Sequence, residues 1–183
     1  EQGTWVLNPN QEDMADFAHR ESVLAEQNLL LQHYAHQSSV SGYGQALPLM
    51  ANIEFMEEVD IANQFGVEGI GLFRTEFLFM QEETLPDEAA QFEYYEQVVQ
   101  AMHGKPVTFR LLDIGADKLM QVAPEKTFDG ENPALGLRGV RLLLHYPDIL
   151  KTQLRAIART ACFSPVSILV PMVSSAEEVI AVR

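Results

Sequence analysis

The sequence has a single cysteine, Cys162, among its 183 residues. One cysteine excludes an internal disulfide framework and is typical of a reducing compartment, so we expect a cytoplasmic protein. Stability must then come from a packed core. Apolar residues make up 47% of the chain, which is enough for a core of ordinary domain size.

Basic residues are also scarce. Lysine and arginine together number 12 against 26 acidic residues, which gives a formal net charge of -14. So negative a chain is a poor partner for nucleic acid. No apolar run approaches the roughly 20 residues that a membrane helix needs, so we expect no membrane insertion.

Two common phosphate-binding motifs are absent, namely the dinucleotide glycine fingerprint and the GxxxxGK[ST] loop. The first residues, 1–4, contain no basic stretch leading into an apolar segment, so they do not resemble a signal peptide. We expect instead that the chain continues a longer protein.

The first 44 residues have their own pattern. Residues 4–7 form a short strand-like run, and residues 10–37 are polar with apolar positions at helical spacing. The Ser- and Gly-rich stretch 38–44 has the composition of a linker. The sequence therefore predicts one long helix that joins an upstream domain to the rest of the chain.

From residue 45 onward, strand-like and helical segments alternate. The predicted strands are 47–53, 69–74, 107–113 and 167–173, and the predicted helices are 54–65, 87–103, 133–146, 147–162 and a last one from 175. This alternation is typical of parallel β/α units. Four units amount to half of an eight-stranded barrel, although periodicity alone does not distinguish a barrel from an open doubly wound sheet.

Three arginines stand where apolar runs end: Arg74, Arg110 and Arg138. A guanidinium keeps its charge and is costly to bury without an anion. Converging arginines would bind a small, multiply charged anion such as a phosphate ester. Strand alternation puts Thr108, Arg110 and Leu112 on one face, and we expect Arg110 to point toward the C-terminal mouth of the sheet.

The sequence motifs around these arginines are specific enough to indicate a family. Residues 71–80 (GLFRTEFLFM), 109–118 (FRLLDIGADK) and 131–141 (ENPALGLRGVR) closely resemble the phosphoenolpyruvate (PEP)-binding domain of the PEP–protein phosphotransferases, enzyme I of the bacterial sugar phosphotransferase system. The resemblance implies the first half of a (β/α)8 TIM-type barrel with parallel strands over residues 45–183, truncated at its second half. Residues 1–44 would be the end of the upstream phosphohistidine domain and its linker helix.

The resemblance also implies a function. PEP would donate a phosphoryl group to an enzyme histidine and then to a histidine phosphocarrier protein, in a homodimeric, Mg²⁺-dependent enzyme. Arg74, Arg110 and Arg138 would be the substrate-binding residues. Catalytic groups, metal ligands and the accepting histidine would lie in segments outside this chain, so the isolated piece is predicted to be inactive.

Acidic residues follow two of the arginines. Glu76 and Asp113 would either orient the guanidiniums or bind Mg²⁺, and we favour the first hypothesis because the family's metal ligands come later in the barrel. The acidic runs 54–58 and 82–83 are interpreted as solvated surface.

Two alternatives remain open. A pyruvate phosphate dikinase or PEP synthase has a similar barrel but phosphorylates through a nucleotide-grasp domain. A half-barrel would also serve as a non-catalytic dimerisation or regulatory module, since its open sheet edges favour association.

Overall fold

The computed structural model describes residues 5–35, 37–80, 84–115 and 136–183. Its centre is a sheet of four parallel strands in the order β1-β2-β3-β4. The strands are β1 (Met50–Ile53), β2 (Gly69–Arg74), β3 (Val107–Arg110) and β4 (Val166–Leu169). Spatial order follows chain order without the reversal of a doubly wound sheet. The predicted α/β class with parallel strands is therefore confirmed.

Helices connect the strands. The described residues form α1 (Gln11–Tyr34), α2 (Glu58–Gln64), α3 (Glu76–Met80), α4 (Glu88–Ala101), α5 (Val140–His145), α6 (Pro147–Thr160) and α7 (Ala176–Val182). The short helix α3 is not among the sequence predictions. The predicted start of the helix at 133 lies outside the described residues. None of the described helices has both the length and the apolar character that crossing a bilayer requires.

Helix α1 begins with a reciprocal cap. The side chain of Asn10 accepts from the backbone N–H of Asp13 at 2.9 Å, and the Asp13 carboxylate accepts from the Asn10 N–H at 3.0 Å. None of its residues is buried. The strand-like run before it forms no strand within the described residues 5–9, where Trp5 is exposed.

Strand β3 ends three residues earlier than predicted: the Leu111 N–H still donates to the Leu169 oxygen, but side chains take the two backbone donors after it. The N–H of Leu112 donates to Gln153 Oε1 at 3.0 Å, and that of Asp113 donates to Glu76 Oε1 at 3.1 Å. Strand alternation therefore stops at Arg110. Leu112 lies beyond the end of the strand and is fully buried, so its predicted placement on the same face as Arg110 stays a prediction.

The core lies between the sheet and the helices that cover it. Its largest members include Phe73 on β2, Phe109 on β3 and Tyr95 on α4, all fully buried. The Phe109 ring centroid is 5.5 Å from that of Phe73 and 4.9 Å from that of Tyr95. Phe109 faces the helices and the partly exposed Arg110 faces the other side, as the alternation predicts.

Gly66 follows the end of α2 with a φ of +70°, a left-handed conformation that glycine adopts without steric cost. A Cβ at this position would lie 1.6 Å from the backbone oxygen of Ala35, the residue that caps α1. Gly66 is therefore the place where the C-terminal end of α1 touches the β/α region.

We expect Gly66→Ala to lower the free energy of unfolding by about 1–3 kcal/mol, because it combines left-handed backbone strain with a steric clash. The matched control is Gly42→Ala, where the backbone is not left-handed and no atom lies within 4 Å of the added methyl group. Thermal unfolding of both variants checks this prediction. Equal melting temperatures would contradict it.

Candidate functional site

The ends of β2 and β3 bring two of the predicted arginines together. In the parallel pairing of these strands, Arg74 lies directly opposite Arg110, each as the last residue of its strand. Residues paired across neighbouring strands point to the same face of the sheet. The two side chains therefore leave the same face at the C-terminal edge, where α/β proteins build their sites.

Arg110 is oriented by Glu76 from the start of α3. Its Nε and Nη2 donate to the same carboxylate oxygen, Glu76 Oε1, at 3.1 and 2.9 Å. Its Nη1 lies 3.6 Å from Asp113 Oδ2. Exposed fractions are 22% for the Arg110 side chain, 14% for Glu76 and 11% for Asp113, so these charges are largely shielded from water.

Asp113 links Arg138 to this pair. The Arg138 Nε donates to Asp113 Oδ1 at 3.1 Å, while the other Asp113 oxygen faces Arg110. An isolated antiparallel bridge between Gly115 and Arg138 holds the two backbones side by side. One carboxylate thus connects the second and third arginines. Residues 131–135 of the third motif lie outside the described residues.

The Arg74 side chain is more exposed to solvent than that of Arg110. Its Nη1 lies 3.5 Å from Glu54 Oε2, in an ion pair whose side chains are 40% and 49% exposed. Its Nε is buried and has no hydrogen-bond partner in the part of the chain that the structure describes. A buried guanidinium donor without a protein acceptor is a feature that an incoming oxyanion would satisfy.

The turn that carries Glu54 is fixed by another carboxylate. Glu58 Oε2 accepts from the backbone N–H groups of Glu54 at 2.7 Å and of Phe55 at 3.0 Å. These hydrogen bonds, first that of Glu54, lower the pKa of Glu58 below its usual value, and nearby Arg74 adds to the effect. Glu58 therefore stays ionised and keeps Glu54 beside Arg74.

The carboxylates favour an orienting role over a metal-binding one. Glu76 and Asp113 both receive arginine N–H donors, as the first sequence hypothesis predicts. Within the described residues, no group of three or more His, Cys, Asp and Glu side chains is arranged to hold a metal ion. Glu76 and Asp113 are instead engaged by arginine donors. They fit an oxyanion site in which carboxylates fix one edge of each guanidinium.

Sequence reasoning missed one contact of the site and one cavity elsewhere in the molecule. Glu54 is interpreted there as solvated surface, yet it pairs with Arg74; its position directly after a strand was the available signal. A cavity of about 550 Å³ lies instead at the opposite, N-terminal edge, where residues before three strands line it: Leu49, Glu68 and Lys105. None of the three arginines lines that cavity.

The family description "PEP-utilising enzyme, PEP-binding domain" matches residues 29–183, more than four-fifths of the chain. The chain belongs to this family. The PEP-utilising enzyme family thus accounts for the end of α1, all four strands and all three arginines. The resemblance inferred from the arginine motifs is confirmed at this level.

Curated relatives among the PEP-utilising enzymes point the same way. A phosphoenolpyruvate-protein phosphotransferase of Cupriavidus necator is 42% identical over 178 residues, covering 97% of this chain. Proteins of the same name from Staphylococcus carnosus and Haemophilus influenzae are 38% and 37% identical, covering 96% and 94% of the chain. The chain spans 30% of the length of each of these relatives.

Proposed function

We propose that the chain is the PEP-binding part of a phosphoenolpyruvate–protein phosphotransferase. The observation that carries the proposal is the pairing of Arg74 and Arg110 at the C-terminal edge of a parallel sheet, with Arg138 joined to Arg110 through Asp113. The names of the relatives support it. The intact enzyme would be a cytoplasmic homodimer that phosphorylates a histidine phosphocarrier protein.

The fold that we propose is more specific than the α/β class with parallel strands. Residues 45–183 would be the first half of a (β/α)8 TIM-type barrel, and the sequential strand order β1-β2-β3-β4 supports this because barrel strands follow chain order. Residues 1–44 would comprise the end of an upstream phosphohistidine domain and a linker. Helix α1 has no buried residue, which supports a role as a spacer.

The proposed chemistry follows from charge. PEP carries a phosphate and a carboxylate, and guanidiniums bind such oxyanions through paired N–H donors. As the phosphoryl group leaves, negative charge spreads over its oxygens, and arginines already fixed in place stabilise that charge without reorganising. The contacts with Glu76 and Asp113 provide this fixation for Arg110 and Arg138.

A Mg²⁺ ion would supply further charge neutralisation at the phosphoryl oxygens. We propose that its ligands, the accepting histidine and the acid that protonates the enolate carbon belong to other parts of the intact protein. The chain by itself would hold part of the donor site and no catalytic residue. It is therefore expected to be inactive alone.

The proposal is tested by following the phosphoryl group. The intact protein is incubated with PEP labelled in its phosphate, Mg²⁺ and a purified histidine phosphocarrier protein, with the 183-residue chain alone as a control. We expect label on the carrier with the intact protein and none with the chain alone. Labelling of the intact protein from ATP instead of transfer to the carrier would favour a pyruvate phosphate dikinase or PEP synthase. No labelling from PEP would favour a non-catalytic module.

A further inference from the structure

A chain of buried polar side chains lies directly beneath the two strand ends that carry Arg74 and Arg110. Its members are Thr75 after β2, Gln91 and Tyr95 on α4, and Gln153 on α6, each no more than 1% exposed. Burying polar groups is costly unless every donor and acceptor is matched. The contacts of this network show how that matching ties the helices to the arginine positions.

Gln153 is the centre of the network. Its Nε2 donates to Thr75 Oγ1 at 3.0 Å and to the hydroxyl of Tyr95 at 3.2 Å. Its Oε1 accepts from the backbone N–H of Leu112 at 3.0 Å. One side chain of α6 therefore holds the residue after Arg74 and the residue before Asp113.

Thr75 completes the link between the two arginines. Its Oγ1 donates to the backbone oxygen of Arg110 at 2.9 Å, although Thr75 itself follows Arg74 in the chain. A single hydroxyl thus connects the backbones from which both guanidiniums extend. This bond lies at the last pair of the β2–β3 ladder, where the two arginines face each other across the strands.

The direction of the hydrogen bonds is fixed throughout. An amide nitrogen only donates, so the Gln153 Nε2 makes both hydroxyls acceptors and leaves their protons for other partners. The Thr75 proton goes to Arg110, and the Tyr95 proton goes to Gln91 Oε1 at 3.3 Å. The Gln91 amide then donates to the Pro86 oxygen at 2.9 Å. Burial raises the pKa of Tyr95, so its hydroxyl keeps this proton at neutral pH.

We propose that Thr75 and Gln153 are positioning residues for the oxyanion site, because they fix the relative placement of the Arg74 and Arg110 backbones. This inference rests on the proposed function, since it concerns how the same arginines are aimed at PEP. A purely structural network would affect stability alone. A positioning network changes how well the site binds and reacts with PEP, beyond any loss of stability.

The chain offers a matched pair of threonines for the test. Thr160 on α6 is also fully buried, but its hydroxyl donates to the Ile157 oxygen within its own helix at 2.7 Å. Thr75→Val and Thr160→Val each replace a buried hydroxyl by a methyl group of similar size. Only the first breaks a contact with an arginine backbone. Thr75→Ser retains the hydroxyl and serves as the conservative rescue.

The experiment uses the intact protein, with steady-state transfer from PEP to the carrier protein and thermal unfolding of each variant. We expect Thr75→Val to lower kcat/KM for PEP about fivefold, the size expected for one buried hydrogen bond. Thr75→Ser should stay within about twofold of the parent by the same measure. Thr160→Val should have a lower melting temperature than the parent but the same kcat/KM for PEP. Equal kcat/KM values for the two valine variants would overturn the inference.

Two further variants keep the result decisive. If Thr75→Val does not fold, Tyr95→Phe replaces it, because it removes the second acceptor of the Gln153 amide. We then expect kcat/KM for PEP to be about twofold lower than that of the parent. A kcat/KM equal to that of Thr160→Val would overturn the inference. Arg110→Ala is measured alongside. Full activity of Arg110→Ala would contradict the proposed function itself. If Arg110→Ala loses activity while Thr75→Val keeps it, only the positioning role is contradicted.

Discussion

Arg110→Ala in the intact protein should lower kcat/KM for PEP by about 10²- to 10³-fold, the usual cost of removing one fixed charge donor from a transition state. The structure adds a second reason. Glu76 and Asp113 both face Arg110, so its removal leaves two shielded carboxylates next to the place where an anion must bind. Arg74→Ala should also impair transfer, although its exposed ion pair with Glu54 leaves a less shielded charge behind.

Two controls separate charge from geometry. Arg110→Lys keeps the positive charge but loses the planar fork that donates twice to Glu76, so it should restore only part of the activity. Arg155→Ala removes an exposed arginine on α6 that is not one of the three site arginines, and it should leave kcat/KM unchanged. If Arg74→Ala and Arg110→Ala both behave like Arg155→Ala, the assignment of the site is wrong.

Phe109→Ala should be the most destabilising single truncation, lowering the free energy of unfolding by about 3–5 kcal/mol. Phe109 is fully buried on β3 and contacts the rings of Phe73 and Tyr95. Loss of the ring leaves a cavity that close-packed neighbours on the sheet and on α4 fill only in part. Because Arg110 follows directly, the change should also disturb the site.

Urea unfolding of the intact protein, followed by circular dichroism, measures this effect. The matched control is Phe163→Ala, since Phe163 lies in the turn after α6 and is 47% exposed. We expect the control to cost less than about 1 kcal/mol, because it removes little buried area. Similar midpoints for the two variants would show that the core is not built around β3 as described.

Local sequence patterns were sufficient for most of the framework. Strand β2 has the predicted bounds, and the other three strands lie within or one residue outside their predicted ranges. Buried parallel strands are short, apolar and rich in branched and aromatic residues, so each leaves a strong local signal. The long helix α1 was predicted from the helical spacing of its apolar residues.

Element boundaries and the short helix α3 were predicted less well. Side chains accept backbone N–H groups just after the end of β3 and just before the start of α2: Glu76 accepts from Asp113, and Glu58 accepts from Phe55. Such hydrogen bonds are specific to the folded arrangement and have no periodic signature. Within the apolar run of residues 77–80, Leu78 and Phe79 are buried on α3, a helix of five residues that leaves too short a pattern to be predicted.

The sequence by itself determined the parallel β/α class and the family, and it singled out three arginines as candidates, because these depend on short runs of neighbouring residues. Only the tertiary structure decided how the arginines are held. Arg74 meets Arg110 through strand register, and Gln153 reaches Thr75 from 78 positions away. Contacts between distant segments form only when the sheet and helices pack, so no local pattern records them.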